Sequence, residues 1–306
     1  MTHPVPVTVV GGYLGAGKTT LINQVLRQAD GLRIAVLVNE FGTMPIDADL
    51  IVAQEGDVIS IAGGCICCAF GDNLVATLVE MLARAPQPEH ILIEASGVAL
   101  PAALASMLSL VAGVQTSGIV VLADAETIEA RAQDRYLADT VMRQIESADI
   151  LVLTKTDLVA DSALAQVTAW LKTKSTQAAV VPARQGQCPN EIILGDFAPS
   201  ADRPPALEHT AQYESFAFRP RRAVDAQSLA ERLADARFGL LRAKGFVPAV
   251  SGGVAAVQVV GRRATVVPAA ADQMLGIVTI GLRAAVAEAA LLEMMAVHGL
   301  EQEGHP

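Results

Sequence analysis

Gly12-Tyr13-Leu14-Gly15-Ala16-Gly17-Lys18-Thr19 constrains this chain more than any other stretch. An apolar run over 5–10 precedes it, and Thr20-Leu21-Ile22-Asn23-Gln24-Val25-Leu26, with helical spacing, follows. The order is strand, glycine-rich loop, helix, and the loop carries the G-x-x-x-x-G-K-[ST] pattern. From Gly12 through Gly15, Ala16, Gly17 and Thr20 the backbone is expected to turn its N–H groups inward around phosphate oxygens. The positive end of the helix dipole adds to that cradle. Lys18 is expected to reach the β- and γ-phosphates and the Thr19 hydroxyl to ligate Mg²⁺. A chain built this way holds a nucleoside triphosphate.

Apolar runs alternate with helical stretches up to about residue 195. Strands are expected at 5–10, 33–38, 58–61, 91–94, 118–124 and 150–153, with helices at 19–29, 73–85, 100–109, 134–147 and 162–175. Such alternation predicts an α/β fold with a mostly parallel, doubly wound sheet covered on both faces. Short, nearly continuous apolar strands fit it, because strands buried on both sides have no polar face to show. A Pro-rich segment at 199–205 then reads as a linker. Beyond it a strand over 213–219, a helix over 224–234, strands at 255–260 and 264–267 and a terminal amphipathic helix over 284–300 predict a small α+β domain. The expected domains are therefore 1–198 and 206–306.

The 306 residues carry a formal net charge of −10 and no compensating Lys/Arg cluster, which excludes a phosphate-backbone partner such as nucleic acid. No apolar run approaches the roughly 20 residues of a membrane span, and no secretory leader precedes the phosphate loop. The sequence reads as a cytoplasmic protein without a membrane partner.

Three further motifs bear on chemistry. Ile91-Leu92-Ile93-Glu94-Ala95-Ser96-Gly97 ends an apolar strand in a carboxylate. Glu94 is thereby expected near Mg²⁺ or its water ligands, as a catalytic residue beside Lys18, and Gly97 near the γ-phosphate. At the end of another strand, Thr154-Lys155-Thr156-Asp157 supplies a carboxylate for the N1–H and exocyclic amine of guanine, a donor pair that adenine lacks. Asp157 is expected to be buried, with the Lys155 stem across the base, so that GTP is the nucleotide. Gly63-Gly64-Cys65-Ile66-Cys67-Cys68 can turn thiolates toward one ion. Thiolates favour zinc or another borderline-to-soft transition metal over Mg²⁺. Cys65 and Cys67 are the expected ligands, Cys68 joins them if the chain turns there, and Glu40 is the candidate for a further position.

These residues carry a resemblance. The phosphate loop, Asn39-Glu40-Phe41-Gly42, Cys65-Ile66-Cys67-Cys68, Glu94-Ala95-Ser96-Gly97 and Thr154-Lys155-Thr156-Asp157 together resemble the CobW family of metal-handling GTPases, relatives of the urease and hydrogenase nickel-insertion GTPases. Leu241-Arg242-Ala243-Lys244-Gly245-Phe246 is similar to the R-x-K-G segment of that family's C-terminal domain. The resemblance implies a GTPase that binds Zn²⁺ or Co²⁺ and delivers it to a client apoprotein or cofactor pathway. It further implies that the γ-phosphate and Mg²⁺ order the segment carrying Glu40 and Asp47, so that nucleotide and ion affinities are linked reciprocally. Slow intrinsic turnover is expected, as no arginine finger is evident along the chain. Pairing of two chains around the nucleotide, as in related GTPases, is left open. Two rival readings also remain at this level: a P-loop ATPase or small-molecule kinase, and a redox- or metal-sensing module with vestigial hydrolysis.

Overall fold

In the computed structural model the described residues are 4–29, 31–39, 58–61, 70–195 and 212–303. The chain divides into two compact units, Met1–Leu194 and Gly195–Pro306. The segment 199–205, read from sequence as a linker, lies outside the described residues.

In the first unit seven strands form one sheet: β1 (Val5–Gly12), β2 (Ile34–Asn39), β3 (Val58–Ile61), β4 (His90–Glu94), β5 (Val114–Asp124), β6 (Ile150–Thr154) and β7 (Ala179–Pro182). Their order is β3-β2-β4-β1-β5-β6-β7, and every neighbouring pair is parallel. Parallel neighbours need crossovers, and α1 (Lys18–Arg27), α2 (Phe70–Leu82), α3 (Pro101–Leu108), α4 (Ile128–Arg131), α5 (Ala138–Glu146) and α6 (Asp161–Lys174) lie in these connections, while α7 (Asn190–Leu194) follows β7. Strand period 2 sorts the side chains onto two faces. Val7, Val9, Ile91 and Ile93 pack with Leu74, Leu78 and Met81 of α2 and Leu104 and Leu108 of α3. Farther along, Ile119, Val121, Leu151 and Leu153 pack with Val141 and Ile145 of α5 and Leu171 of α6. Thr8 points to the opposite face, where its hydroxyl donates to Ile193 O of α7 and pairs with buried His90. Asn190 of α7 in turn donates to Val25 O and Gln28 O at the end of α1.

The chain fills the β2–β4 side of β1 first and then crosses to β5–β7. The crevice outside the carboxyl ends of β1, β4, β5 and β6 is where such a reversal of strand order makes room for a ligand.

The second unit is an antiparallel sheet in the order β11-β10-β9-β12-β8-β13. Its elements are β8 (Tyr213–Pro220), α8 (Ala226–Leu233), β9 (Leu240–Pro248), β10 (Val254–Val260), β11 (Arg263–Ala269), β12 (Gly276–Leu282), α9 (Glu288–Val297) and β13 (Leu300–Gln302). Phe216, Phe218, Val257, Val259 and Ile277 from the sheet close a core with Leu229 and Leu233 of α8 and Leu291 and Met295 of α9. Three of its strands, β9, β12 and β13, escape the sequence reading. The segment similar to R-x-K-G lies within β9, a central strand, where a Cβ on Gly245 would collide with Gly276 O of β12. The terminal helix is also shorter than expected, α9 spanning 288–297. Among the described residues no helix is long and apolar enough to cross a membrane.

Candidate nucleotide site

The site is built at the carboxyl end of β1. Gly12, Gly15 and Gly17 adopt φ of 131°, 76° and 95°, which side-chain-bearing residues resist. Gly17 is thus a left-handed residue at the entry to α1, leaving the first N–H groups of that helix facing the loop. Lys18, 8 % exposed, donates from Nζ to Gly12 O at 3.0 Å and so lies back across the loop it belongs to. Ala16 is buried, while Gly15 and Thr20 are exposed.

Glu94 ends β4 beside β1 and is 4 % exposed. The Thr19 hydroxyl donates to its Oε1 at 3.3 Å, so the expected Mg²⁺ ligand meets the carboxylate expected at that ion or its water shell. A hydroxyl and a carboxylate are hard oxygen donors, the chemistry that Mg²⁺ selects. The chain then makes a turn, Ser96 to Ala99, closed by Ala99 N–H donating to Ser96 O at 2.9 Å. Gly97 of that turn touches the phosphate loop: a Cβ there would stand 2.6 Å from Leu14 Cγ and 2.8 Å from Leu14 N. Only glycine admits this approach.

The third predicted element arrives from β6. Thr154, 3 % exposed, donates to Ala16 O at 2.8 Å and Ala123 O at 3.2 Å, fastening the end of β6 to the phosphate loop. Where many GTPases have Asn, this hydroxyl ties the two loops together. Lys155 has φ 57°, a strained value outside glycine. Its Nζ donates to Asp124 Oδ2 at 2.6 Å. Asp157 is exposed rather than buried as expected. It sits in the turn closed by Leu158 N–H on Lys155 O.

Four groups were not found by sequence reasoning. Asp124, 2 % exposed at the end of β5, takes both Lys155 and the Glu126 N–H, and so orients the lysine stem. Asp124 lies opposite Thr154 in the β5–β6 register, a pairing that only the folded sheet reveals. Gln144 of α5, 2 % exposed, donates to Gly97 O at 3.1 Å and Ala99 O at 2.8 Å, pinning the turn after Glu94. The loop after β7 approaches α1, where Gly186 packs on Thr20 and Ala183 O accepts from the Thr156 hydroxyl at 3.1 Å. Arg131 reaches the phosphate loop from α4. Cys65, Cys67, Cys68 and Glu40 lie outside the described residues. Among the described residues no group of three or more His, Cys, Asp or Glu is placed to hold a metal. Cys188 is buried and in no disulfide.

Residues 6–182 match the family described as CobW/HypB/UreG, nucleotide-binding domain. The chain belongs to this family. Residues 213–295 match the cobalamin synthesis protein CobW C-terminal domain, so both compact units carry CobW-family sequence. A relative named zinc chaperone CobW from Sinorhizobium sp is 31 % identical over 287 residues, which cover 79 % of this chain and 81 % of that protein. The zinc-regulated GTPase metalloprotein activator 1 of Schizosaccharomyces pombe is 35 % identical over 174 residues, covering 54 % of this chain and 42 % of that one. The Zn(II)-bound YjiA GTPase from E. coli aligns over 97 % of this chain and 99 % of its own, at 22 % identity and a TM-score of 0.47.

Proposed function

We propose that this CobW-family chain is a GTP-hydrolysing metallochaperone that carries zinc at Cys65, Cys67 and Cys68, with Glu40 as auxiliary ligand, and releases it to a client apoprotein under nucleotide control. The observation that carries the reading is the convergence of Thr19, Glu94, Gly97 and Thr154 on one phosphate loop. The relatives named as zinc chaperones support zinc as the cargo, with cobalt as the other ion that thiolates accept.

On this reading the loop N–H groups and Lys18 would hold the phosphates, Thr19 would hold Mg²⁺ with Glu94 at its water shell, and Gly97 would meet the γ-phosphate. When bound, Mg²⁺ supplies neutralisation of the charge that develops on the β- and γ-oxygens. Gln144 keeps the turn carrying Gly97 in place. Asp124 positions Lys155 along the base, and Asp157 reads the guanine edge.

A Gly97→Ala variant tests the contact between the turn and the loop. Its methyl must displace Leu14, backbone included. Misplacement by about 1 Å can cost on the order of 100-fold in rate, so single-turnover GTP hydrolysis is expected to fall by roughly that factor. An unchanged rate would show that the close approach has no part in turnover.

The delivery reading is tested by equilibrium dialysis of the full chain with Zn²⁺ and separately with Co²⁺, without nucleotide, with GDP and with a non-hydrolysable GTP analogue. One ion per chain is expected, with an affinity that differs between nucleotide states. A Cys65→Ala, Cys67→Ala double variant is expected to lose that ion and keep GTP binding. Full stoichiometry in the double variant would refute the thiolate assignment. Equal affinities in all nucleotide states would refute coupled delivery.

A further inference from the structure

Arg131 ends α4, and its guanidinium lies on the tip of the phosphate loop. Nη1 donates to Leu14 O at 2.7 Å, and the guanidinium carbon stands 5.1 Å from the centre of the Tyr13 ring. Leu14 is the same residue that packs against Gly97 on the turn after Glu94. The tip of the loop is thus held between a cation from α4 and a turn pinned by Gln144 of α5. In a P-loop NTPase the residue in the position of Gly97 lies at the γ-phosphate. The cation accordingly rests at the end of the loop where transferable charge is expected.

Its present partners are neutral. A carbonyl and an aromatic face are weaker acceptors for a guanidinium than a phosphate, whose charge-assisted, two-pronged bonds are about twice as strong as neutral ones. GTP binding therefore offers Arg131 a better partner than the one it holds.

We infer that Arg131 is a catalytic arginine supplied in cis. It leaves Leu14 O when GTP is bound and pairs with the γ-phosphoryl oxygens. This rests on the GTPase reading above and replaces the expectation that the chain has no arginine of this kind. In the step it assists, a water oxygen forms a bond to the γ-phosphorus as the bond to the β–γ bridging oxygen breaks. The electron pair of that bond stays on GDP, and the proton lost by the water leaves with inorganic phosphate or to solvent. Arg131 transfers no proton. It remains a cation throughout and opposes charge on the γ-oxygens and the bridge.

The test uses the full chain with Mg²⁺ and follows single-turnover GTP hydrolysis together with equilibrium binding of labelled GDP. Arg131→Ala is expected to slow hydrolysis by about 10- to 100-fold, less than the roughly 10³-fold or more that a fully engaged arginine finger supplies, with GDP affinity held within about twofold. Arg131→Lys is expected to fall between the parent and the alanine variant, and added guanidinium chloride at low, non-denaturing concentration to restore part of the alanine variant's rate. A parallel loss of rate and GDP affinity that guanidinium does not relieve would overturn the inference, because it would make Arg131 a clamp on loop shape. A parent that hydrolyses GTP and an alanine variant that matches it would overturn this inference alone. A parent that neither binds nor hydrolyses GTP would remove the GTPase reading, and this inference with it.

Discussion

Asp157→Asn is expected to move the chain's preference from guanine to xanthine nucleotides. The carboxylate has only acceptors to offer, and guanine presents two donors, N1–H and the exocyclic amine. Xanthine carries a carbonyl in place of that amine, so an asparagine amide, with one donor and one acceptor, matches it instead. Asp157 is exposed in the turn after β6, so the exchange disturbs no packed neighbour and the fold should be unchanged. The parts that aim it are buried: Thr154 on the phosphate loop and Asp124 beneath Lys155. A site that hydrogen-bonds a particular edge rejects analogues lacking it by factors on the order of 10⁴ in favourable cases. Exposure of Asp157 to water weakens the discrimination, so we expect a parental GTP-over-ATP ratio of about 10³ that collapses in the variant. Competition of GTP, ATP and XTP against a labelled guanine nucleotide measures all three affinities. A parent indifferent between GTP and ATP would make Thr154–Asp157 an ordinary turn and return the ATPase reading.

Residues that announce themselves by position in a strand were legible, and residues that act across the fold were not. Glu94 and Thr154 stand at the ends of short apolar runs, and the glycine pattern of the phosphate loop is dictated by backbone geometry. Each could be placed from its neighbours in sequence. Arg131, Gln144 and Asp124 work on Leu14, Gly97 and Lys155, at separations of 117, 47 and 31 residues. Their value lies in carbonyls and charges that only the crossed sheet brings near, and nothing local marks them. A similar reason hid part of the second unit. β9 carries Arg242 and Lys244 on alternate positions, which reads as a polar motif, yet Arg242 is 1 % exposed in a central strand. β12 is mostly apolar but carries Thr279 and the glycines Gly276 and Gly281, and glycine in a run argues against a strand until a close backbone approach explains it. The terminal helix was overextended because apolar periodicity continues past its true start at Glu288.

Lys18→Met is expected to separate stability from function. Lys18 is nearly buried, its stem among loop atoms and its ammonium donating to Gly12 O. Burying a charge is costly, because water solvates an ammonium better than the interior of a protein does. Methionine keeps the unbranched stem and omits the charge, so the nucleotide-free protein should melt within a few degrees of the parent or slightly above it. Function should not survive in the same way. The ammonium is the one side-chain cation within the loop itself, and removing a preorganised donor of this kind costs about 10²- to 10³-fold in turnover. Thermal melts with GTP and Mg²⁺ read the binding side of the same change. At a hundredfold excess over Kd a ligand adds about 2.7 kcal/mol, an upward shift of roughly 5–10 °C for a domain of this size. That shift should appear in the parent and vanish in Lys18→Met, whereas Arg131→Ala should keep the shift that GDP and Mg²⁺ give. If Lys18→Met kept the full shift and hydrolysed GTP at the parental rate, the phosphates would not lie in this loop.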